Sequence, residues 1–388
     1  MTENKPLSVF IYVTHLLGSG HLSRALAIAQ ACHDDGMVVT LATGGFPTHK
    51  LKDRAFRIVQ LPPCRIKGTD FLTLFDEYDQ VVDEEWKIGR AKELETAFKD
   101  ASPDVIITEL FPLGRRQMTF ELDPLLDACK IARPKPMVFC SVRDILQPPS
   151  KQKKITRAEQ YLEDYYGGLL VHGDPRIATL GQSFPMKAEV LALAQYTGFI
   201  FDGEKPEENK ERNQEIIVSA GGGAAGESLY RIAAEASQLG PDGFVWHLLI
   251  GRGLPQEFFE EITSKAHANL IVEWARSDFP DLLASAALSI SQAGYNTMLD
   301  IVNADVNSIT VPFSDGGEVE QNLRAKLFEK AGYTTVVKSE ELSAAKLLLS
   351  VTEVLNAPKQ ERLPLNLEGG KGTVETIKTL WNSRTHNV

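Results

Sequence analysis

A histidine directly follows two closely spaced glycines, shortly beyond the first apolar segment of the sequence. That segment is Ser8–Thr14, and Gly18, Gly20 and His21 come after it. A glycine turn at the start of a helix exposes backbone N–H groups and lets a ligand approach the chain closely. A neutral imidazole in that position can accept a proton from a hydroxyl group. We therefore predict that His21 is a catalytic base. Gly18 and Gly20 are predicted to contact the acceptor substrate, the molecule whose hydroxyl group loses the proton. The alternative is a turn and a histidine with structural roles only.

Two glycine-containing segments in the second half of the chain are suited to binding phosphate groups. Gly221, Gly222 and Gly223 follow one apolar run, and Gly294 stands where another apolar run gives way to a helix. The amides of such a loop, and the positive end of such a helix, stabilise phosphate oxygens. Asp300 lies about one and a half turns into that helix, where a carboxylate can accept both hydroxyls of a ribose. These segments predict a nucleotide site, and the alternative is a flexible turn with a solvated helix face.

Further polar residues follow in the first turns of two predicted helices. Asn296 and Thr297 lie just beyond Gly294, and Glu320 and Gln321 lie at the start of the next helix. Their amide, hydroxyl and carboxylate groups offer the donors and acceptors that several sugar hydroxyls require. Because acidic residues are favoured at helix starts in any case, a purely polar first turn is the alternative.

Four charged residues stand just beyond other apolar runs. Glu109, Arg115 and Arg116 follow one run in the first half, and Arg252 follows one in the second half. Arginine can bind a phosphate or a carboxylate through two N–H donors at once. We predict that the first three residues contact the acceptor and that Arg252 assists the phosphate site. A solvated surface position is the alternative for the arginines.

Apolar runs alternate with amphipathic stretches along the whole chain, and this alternation predicts an α/β fold with parallel sheets. In the first half, the predicted strands are Ser8–Thr14, Val38–Ala42, Val105–Thr108, Met137–Ser141 and Leu169–His172. In the second half, they are Glu215–Ser219, Val245–Ile250, Leu270–Glu273, Leu288–Ser291, Ser308–Val311 and Thr334–Val337. Most candidate residues follow the carboxyl ends of these strands, which is where doubly wound sheets bind ligands.

A charged stretch at residues 201–213, nearly free of apolar residues, separates the two halves and predicts a linker. The predicted domains are an acceptor-binding Rossmann-like domain over residues 1–200 and a donor-binding Rossmann-like domain over residues 214–370. A C-terminal helix is expected within residues 371–388.

The composition disfavours several classes of protein. A formal net charge of −11 argues against broad attraction to nucleic acid. The sequence contains no apolar run near the ~20 residues that cross a bilayer, and it starts without the features of a signal peptide, so we expect a cytoplasmic protein. The basic segment Lys151–Arg157 leaves peripheral contact with the inner face of a membrane open. The four cysteines lack metal-site spacing and are expected to be buried thiols. No Asp-x-Asp follows an apolar strand, so we predict no metal requirement.

The motifs, in this order, resemble those of glycosyltransferase family 28. The residues that carry the resemblance are Gly18-x-Gly20-His21, Gly221–Gly223, Ser291-x-Ala293-Gly294-x-x-Thr297-x-x-Asp300 and Val311-Pro312 followed by Glu320-Gln321-Asn322. The resemblance implies a GT-B fold, in which two doubly wound Rossmann-like domains face each other across a cleft. It also implies that the last helix packs on the N-terminal domain.

The resemblance further implies an inverting, hexosyltransferase-type glycosyltransferase. Its donor would be a nucleotide-sugar, UDP-linked by analogy and a substrate rather than a cofactor, and its acceptor a glycan, a lipid-linked molecule or a small molecule. Gly221–Gly223 and Gly294 would contact the donor pyrophosphate, and Asp300 the nucleotide ribose. Glu320 and Gln321 would lie near the transferred sugar.

The motifs also depart from the family pattern. Gln292 stands where relatives carry arginine, and the G-x-G-H-x-x-R form that ends at Arg24 is similar to that of a nucleotide-sugar hydrolase. A hydrolase or an epimerase on the same fold is therefore one alternative function. A protein that binds a sugar nucleotide without catalysis is another. Analysis of the products formed with and without an acceptor discriminates among the three.

Overall fold

The chain forms two α/β units, each built on its own parallel sheet. The structure is a computed structural model, and it describes residues 5–16, 20–67, 70–201, 203, 211–221, 226–313, 319–358 and 360–386. The first unit contains Met1–Asp202 together with Asn366–Val388, and the second unit contains Gly203–Leu365. The first unit is therefore discontinuous in sequence, whereas the second is one continuous segment.

Parallel strands form the centre of the first unit. The strands described there are β1 (Ser8–Val13), β2 (Val38–Thr43), β3 (Arg57–Gln60), β4 (Arg65–Lys67), β5 (Asp70–Phe75), β6 (Val105–Glu109), β7 (Met137–Arg143), β8 (Gly168–His172) and β9 (Ala194–Tyr196). Seven of them form a parallel sheet in the order β3-β2-β1-β6-β7-β8-β9, and β4 pairs with β5 in an antiparallel hairpin. β1, β6 and β8 are buried along their whole length, as continuous apolar strands between helical layers should be.

Helices cover both faces of this sheet. Those that lie between the strands are α1 (Gly20–Asp34), α2 (Glu84–Ala101), α3 (Thr119–Ile131), α4 (Gln152–Tyr165), α5 (Leu180–Ser183) and α6 (Ala188–Leu191). α1 directs Leu22, Ala25 and Ile28 into a core that it shares with β1 and β2. α2 starts at an N-cap, because the side chain of Asp83 accepts a hydrogen bond from the backbone N–H of Trp86 at 2.8 Å.

The second unit repeats this design with a six-stranded sheet. Its strands are β10 (Glu215–Ser219), β11 (Val245–Ile250), β12 (Leu270–Trp274), β13 (Leu288–Ser291), β14 (Ser308–Thr310) and β15 (Thr335–Val336). They are parallel, in the order β12-β11-β10-β13-β14-β15. The helices around them are α7 (Glu227–Ala236), α8 (Gln256–Thr263), α9 (Phe279–Ser285), α10 (Tyr295–Ala304), α11 (Glu320–Lys330) and α12 (Ala344–Asn356).

The predicted strands agree closely with these elements, and the α/β class is confirmed. The differences concern strands at the edges of the first unit. β3 and β9 were not predicted, because none of their residues is buried and they therefore lack a continuous apolar run. The β4–β5 hairpin was not predicted either, since β4 has only three residues, two of them charged, and β5 begins at Asp70. Most of the predicted linker lies outside the described residues.

The chain returns to the first unit through α13 (Gly369–His386), which packs against α1. Val374 and Ile377 of α13 are buried in the same core as Leu22 and Ile28 of α1. An exposed ion pair joins Lys378 Nζ to Asp35 Oδ2 at 2.6 Å. This helix therefore completes the apolar layer of the first unit.

A buried ion pair connects two helices of the first unit to the carboxyl edge of its sheet. Arg90 of α2 donates to Glu121 of α3 through Nε at 2.6 Å, and neither residue is exposed. Arg90 also donates to Thr14 Oγ1 and to the carbonyl of Gly44, both at 3.0 Å. A Cβ on residue 44 would lie 1.9 Å from Arg90 Nη2, so this close approach requires glycine.

Both sheets contain a point at which the strand order reverses. In the first sheet, β1 and β6 are neighbours, and the chain continues to β2 on one side and to β7 on the other. In the second sheet, β10 and β13 stand in the same relation. At such a point the loops after the two strands diverge, and a crevice opens at the carboxyl edge of the sheet, where α/β proteins bind ligands.

Candidate active site

His21 and Glu109 meet at the reversal point of the first sheet. His21 is the second residue of α1, which follows β1, and Glu109 is the last residue of β6. The imidazole Nδ1 lies 2.9 Å from Glu109 Oε1. The His21 side chain is 21% exposed, whereas that of Glu109 is 2% exposed. The pair therefore presents an imidazole toward the crevice and keeps the carboxylate behind it.

Arg24 completes this cluster from the next turn of α1. Its guanidinium pairs with Glu109 through Nη2, and its Nε donates to Glu109 Oε2 at 3.3 Å. Arg24 Nη2 also lies 3.1 Å from His21 Nδ1. Because arginine can only donate and an ionised carboxylate can only accept, we assign the hydrogen on Nδ1 to the shorter contact with Glu109. The lone pair of His21 then resides on Nε2.

The electrostatic surroundings keep His21 neutral and Glu109 ionised. Burial lowers the pKa of His21 to about 4, and the charges of Arg115 and Arg24 act in the same direction against the contact with Glu109. Burial alone would raise the pKa of Glu109, but Arg24 and the hydrogen bond from His21 hold it well below its ordinary value. Near pH 7 the imidazole is therefore able to accept a proton.

A hydrogen-bonded chain continues behind Glu109 into the sheet. Ser141 Oγ of β7 lies 2.6 Å from Glu109 Oε2 and 2.9 Å from His172 Nε2 at the end of β8. His172 Nδ1 lies 2.8 Å from Thr197 Oγ1. Ser141 and His172 have no exposed surface. Burial, followed by the charge of Arg24, lowers the pKa of His172 to about 3, so this imidazole is also neutral.

The residues that were predicted to contact the acceptor substrate do not share one environment in the structure. Glu109 was predicted to contact the acceptor, but its two oxygens are engaged by His21, Arg24 and Ser141, which favours a role in orienting His21. Arg115 has a left-handed backbone conformation with φ of 55° and acts electrostatically on His21. Its buried Nε has no hydrogen-bond partner among the described residues.

The Arg116 side chain is exposed and faces away from the cluster around His21. It lines a groove of about 490 Å³ together with Lys87 and Arg157. Of the two glycines, Gly18 lies outside the described residues. Gly20 starts α1, and a Cβ there would meet nothing within 4 Å, so the fold does not require glycine at this position.

Arg24, Ser141 and His172 were not predicted as members of the site. Arg24 follows His21 by three residues, which places it on the same face of a helix. Ser141 and His172 are the polar residues that end two predicted strands. The signal was therefore present, but only the order of strands in the sheet brings these side chains to Glu109.

The reversal point of the second sheet is built mainly from backbone. The loop after β10 begins at Gly221, whose φ of 77° favours glycine. It ends at Gly226, where φ is 105° and an added Cβ would lie 2.1 Å from Ala220 Cβ. Gly222 and Gly223 lie outside the described residues. Across the crevice, α10 begins after Gly294 without a side-chain cap, so its first N–H groups have no partner from the N-cap residue.

Gly294 is not required by the fold itself. Its backbone is in an ordinary extended conformation with φ of −62°, and an added Cβ would make only an ordinary 3.7 Å contact with Thr297 Oγ1. Asn296 is exposed, and Thr297 and Asp300 are partly buried, with Asp300 as the sixth residue of α10. Among the described residues, Thr297 is therefore the one neighbour that a Cβ at this helix end would contact.

Glu320 and Gln321 of α11 support the loop that precedes α10. Gln321 Oε1 accepts from the backbone N–H of Ala293 at 3.1 Å and of Phe313 at 3.2 Å. Glu320 is buried and pairs with Arg324 Nη2 at 2.8 Å, while Arg324 Nη1 donates to the Ala293 carbonyl at 3.1 Å. The sequence predicted contacts with a sugar here, and the structure adds an internal role in fixing the loop.

Arg252 lies in the turn after β11, next to the loop that begins at Gly221. Its side chain is exposed. The sequence-based prediction that Arg252 assists the phosphate site therefore remains a prediction.

Comparison with known proteins identifies one family in the second half of the chain. Residues 200–372 match the family described as glycosyltransferase family 28 C-terminal domain. An 83-residue region is 39% identical to the UDP-N-acetylglucosamine--N-acetylmuramyl-(pentapeptide) pyrophosphoryl-undecaprenol N-acetylglucosamine transferase of Clostridium perfringens, covering 21% of this chain and 23% of that protein. A 205-residue region is 24% identical to transferase 2 of the same name from Bacillus cereus, covering 52% of this chain and 55% of that protein. The matches thus span about a quarter to a half of the length of these curated relatives.

Solved structures extend the likeness to the whole chain at the level of the fold. The MurG protein of Acinetobacter baumannii superimposes with a TM-score of 0.63 at 15% identity, over 96% of this chain and 99% of that chain. The calicheamicin glycosyltransferase CalG4 superimposes with a TM-score of 0.60 at 13% identity, over 97% of this chain and 94% of that chain. These likenesses confirm the predicted GT-B fold class with two Rossmann-like units.

Proposed function

Because residues 200–372 carry a glycosyltransferase family 28 C-terminal domain, we propose that this chain is a glycosyltransferase. It moves a sugar from a nucleotide-sugar to a hydroxyl group of an acceptor. The observation that carries this proposal is the contact of His21 Nδ1 with Glu109 at 2.9 Å. That contact places the proton on Nδ1 and leaves Nε2 as the basic atom at the edge of the crevice.

The donor binds at the crevice of the second unit in this proposal. The backbone N–H groups at the start of α10 and the loop that begins at Gly221 receive the diphosphate. The absence of a side chain at Gly294 allows its close approach. Asp300, within the same helix, accepts the hydroxyls of the nucleotide ribose. Asn296, Thr297 and Arg252 complete this site. The names of the relatives from Clostridium perfringens and Bacillus cereus, which specify UDP-N-acetylglucosamine, favour a uridine donor.

The reaction proceeds in one displacement. His21 Nε2 takes the proton of the acceptor hydroxyl while its oxygen attacks the anomeric carbon of the donor sugar. The bond from that carbon to the diphosphate breaks, and the nucleoside diphosphate leaves. A single attack from the face opposite the leaving group inverts the anomeric configuration. Glu109 stays ionised and stabilises the imidazolium that forms, as the carboxylate of a catalytic triad does.

No metal ion is needed in this mechanism, because backbone amides and the helix end stabilise the leaving charge. Turnover measured with excess EDTA should therefore equal turnover in buffer alone. Loss of activity that Mg²⁺ or Mn²⁺ restores would contradict this part of the proposal.

We propose further that the acceptor is lipid-linked, as the names of the relatives specify for those proteins, and that the first unit contacts an anionic membrane. The groove beside Arg116 combines Lys87 and Arg157 with the apolar residues Leu74 and Val81. Burial and the neighbouring charges of Arg116, Lys151 and Lys153 lower the pKa of Lys154, which shows that like charges crowd on this face. None of the described helices is long and apolar enough to span a bilayer.

Co-sedimentation with vesicles tests the membrane contact. We expect the chain to bind vesicles that contain phosphatidylglycerol and not vesicles of phosphatidylcholine alone, and to be released by salt. Equal binding to both lipids, or to neither, would contradict the proposal.

Product analysis tests the transferase proposal. UDP-linked sugars are incubated with the protein, with and without hydroxyl-bearing acceptors, and UDP and free sugar are quantified. We expect UDP release that depends on the acceptor and that equals the glycosylated product. Free sugar at the same rate without acceptor would indicate a hydrolase, and a changed sugar nucleotide would indicate an epimerase.

A further inference from the structure

The hydrogen-bonded chain behind Glu109 has a direction that the geometry determines. An ionised carboxylate accepts hydrogen bonds only, so the contact of 2.6 Å makes the Ser141 hydroxyl the donor to Glu109 Oε2. The oxygen of Ser141 is then the acceptor for His172 Nε2 at 2.9 Å. A neutral imidazole that donates from Nε2 must accept at Nδ1, and Thr197 Oγ1 lies 2.8 Å from that atom.

The hydrogen bonds of this chain are therefore donated in one direction, from the sheet toward Glu109, which in turn contacts the proposed base His21. Thr197 donates to His172, His172 donates to Ser141, and Ser141 donates to Glu109, whose other oxygen accepts from His21. Thr197 follows β9 and lies close to α13, since a Cβ on Gly372 would be 2.1 Å from the Thr197 carbonyl. The rotation of the Glu109 carboxylate is therefore restrained from behind as well as by Arg24.

His172 and Ser141 are buried polar residues that are joined to each other and to Glu109 by hydrogen bonds. Both are wholly buried at polar positions among apolar neighbours on β7 and β8. Burying a histidine and a hydroxyl costs free energy unless both are hydrogen-bonded. Ser141 contacts Glu109 directly, and His172 reaches Glu109 through Ser141, so a role that acts through this carboxylate explains their presence.

We infer that Ser141 and His172 are positioning residues that fix the carboxylate of Glu109 and, through it, the tautomer and orientation of His21. The inference rests on the proposed function, since it assigns His21 as the base. It adds two residues that do not touch the substrate. The charged groups that face His21 are Glu109 from β6, Arg24 from α1 and Arg115 from the loop after β6.

Matched substitutions test the inference by kinetics. Ser141→Ala removes the hydroxyl, and Ser141→Thr keeps it. His172→Phe removes both ring nitrogens, and His172→Gln keeps one donor and one acceptor. We expect Ala and Phe to lower kcat about tenfold, and Thr and Gln to stay within about threefold of the wild type. KM for the nucleotide-sugar should stay within about twofold in all four, because the donor site belongs to the second unit.

Two kinetic results would overturn the inference. One is a wild-type kcat in Ser141→Ala or His172→Phe. The other is an equal loss in the conservative and non-conservative members of a pair. Thermal melting of each variant shows whether it is folded. If a variant melts below the assay temperature, the comparison uses the pair of variants at the other position.

Histidine side-chain ¹⁵N NMR gives a readout that does not depend on activity. In the wild type at pH 7, we expect His172 to be neutral with its hydrogen on Nε2 and His21 to be neutral with its hydrogen on Nδ1. In Ser141→Ala, the His21 signals should shift toward a mixture of tautomers. A His172 hydrogen on Nδ1, or His21 signals unchanged by Ser141→Ala, would overturn the inference. If the wild type transfers no sugar but shows these tautomers, the proposed function fails while the arrangement around Glu109 stands.

Discussion

The two crevices of the molecule arise from the same topology and are built from different chemistry. In the first unit, the reversal of strand order brings charged side chains together, with His21, Arg24 and Glu109 in mutual contact. In the second unit, the equivalent place holds glycines and the uncapped start of α10. One edge of a doubly wound sheet can therefore be arranged for proton transfer or for binding an anion, depending on whether side chains or backbone amides line it.

The comparison also shows how each crevice is supported. Behind the first crevice, polar side chains on successive strands hold one carboxylate. Behind the second, Gln321 and Arg324 of α11 hold the loop at Ala293 through its backbone N–H and carbonyl. Substitutions should accordingly alter catalysis in the first unit and donor affinity in the second.

The largest effect is expected for His21→Ala. Removal of the base should lower kcat by about 10²-fold or more and leave the affinity for UDP unchanged. Steady-state kinetics and calorimetric titration with UDP measure the two quantities separately. His49→Ala, at an exposed histidine of the same unit, is the control and should behave as the wild type. Near-normal turnover of His21→Ala would remove His21 from the role of base.

For Gly294→Ala we expect a smaller effect, and we expect it on the affinity for UDP, which His21→Ala should leave unchanged. The added methyl group fits the described part of the protein, because φ is −62° and its nearest neighbour there is Thr297 Oγ1 at 3.7 Å. It would stand where we place the diphosphate, so we expect the Kd for UDP to rise about tenfold, or about 1.4 kcal/mol.

The melting temperature of Gly294→Ala should change little, and Gly89→Ala on the exposed face of α2 is the matched control for adding a methyl group. Unchanged UDP affinity in Gly294→Ala would show that the donor phosphates do not approach this helix end.

The buried His172 should make folding sensitive to acid. Its pKa is lowered to about 3 in the folded protein, whereas an unfolded histidine titrates near 6.5. Between these values the unfolded state binds more protons, so stability is complete above about pH 6.5 and is lost as the pH falls. His172→Gln removes this titrating group. Between pH 6 and pH 5, we expect the free energy of unfolding of the wild type to fall by about 1 kcal/mol more than that of the variant.

Urea titrations at the two pH values measure that difference. Because the wild type and the variant share all other titrating groups, their contributions cancel in the comparison. An identical pH dependence in both proteins would mean that His172 is not buried in its neutral form.

The smallest effect concerns the pH profile of turnover. Since the pKa of His21 is lowered to about 4, kcat should be constant from pH 8 to about pH 5 and fall only below it. Arg24→Met removes a positive charge that contributes to lowering this pKa, so the acid limb should move upward. An acid limb near pH 6.5 in the wild type, or no shift in Arg24→Met, would contradict the electrostatics that we assign to the first crevice.

The sequence predicted much of the frame and part of the site. The strands of the second unit were predicted to within one residue at either end, because each is a short apolar run between polar segments. His21 and Gly294 were predicted at helix starts, because glycines followed by amphipathic periodicity mark such positions.

The residues that the sequence did not predict are partners in contacts between positions far apart along the chain. Ser141 and His172 are separated from Glu109 by 32 and 63 residues in sequence, and they meet it only because β6, β7 and β8 are neighbours in the sheet. The pairing of Arg90 with Glu121 was missed for the same reason, since each residue alone is typical of an exposed helix face. Local patterns predict which elements form, and strand order decides which polar residues become partners.

The return of α13 to the first unit makes the second unit an insertion within the first. The polypeptide crosses between the units twice, near residue 203 and near residue 366. One proteolytic nick at the first crossing would therefore leave two fragments that co-migrate under native conditions, since the fragment carrying α13 still docks its apolar side on α1. For the same reason, residues 203–365 can be excised or transplanted as one contiguous module, whereas the first unit alone needs its two pieces rejoined by a short artificial connection.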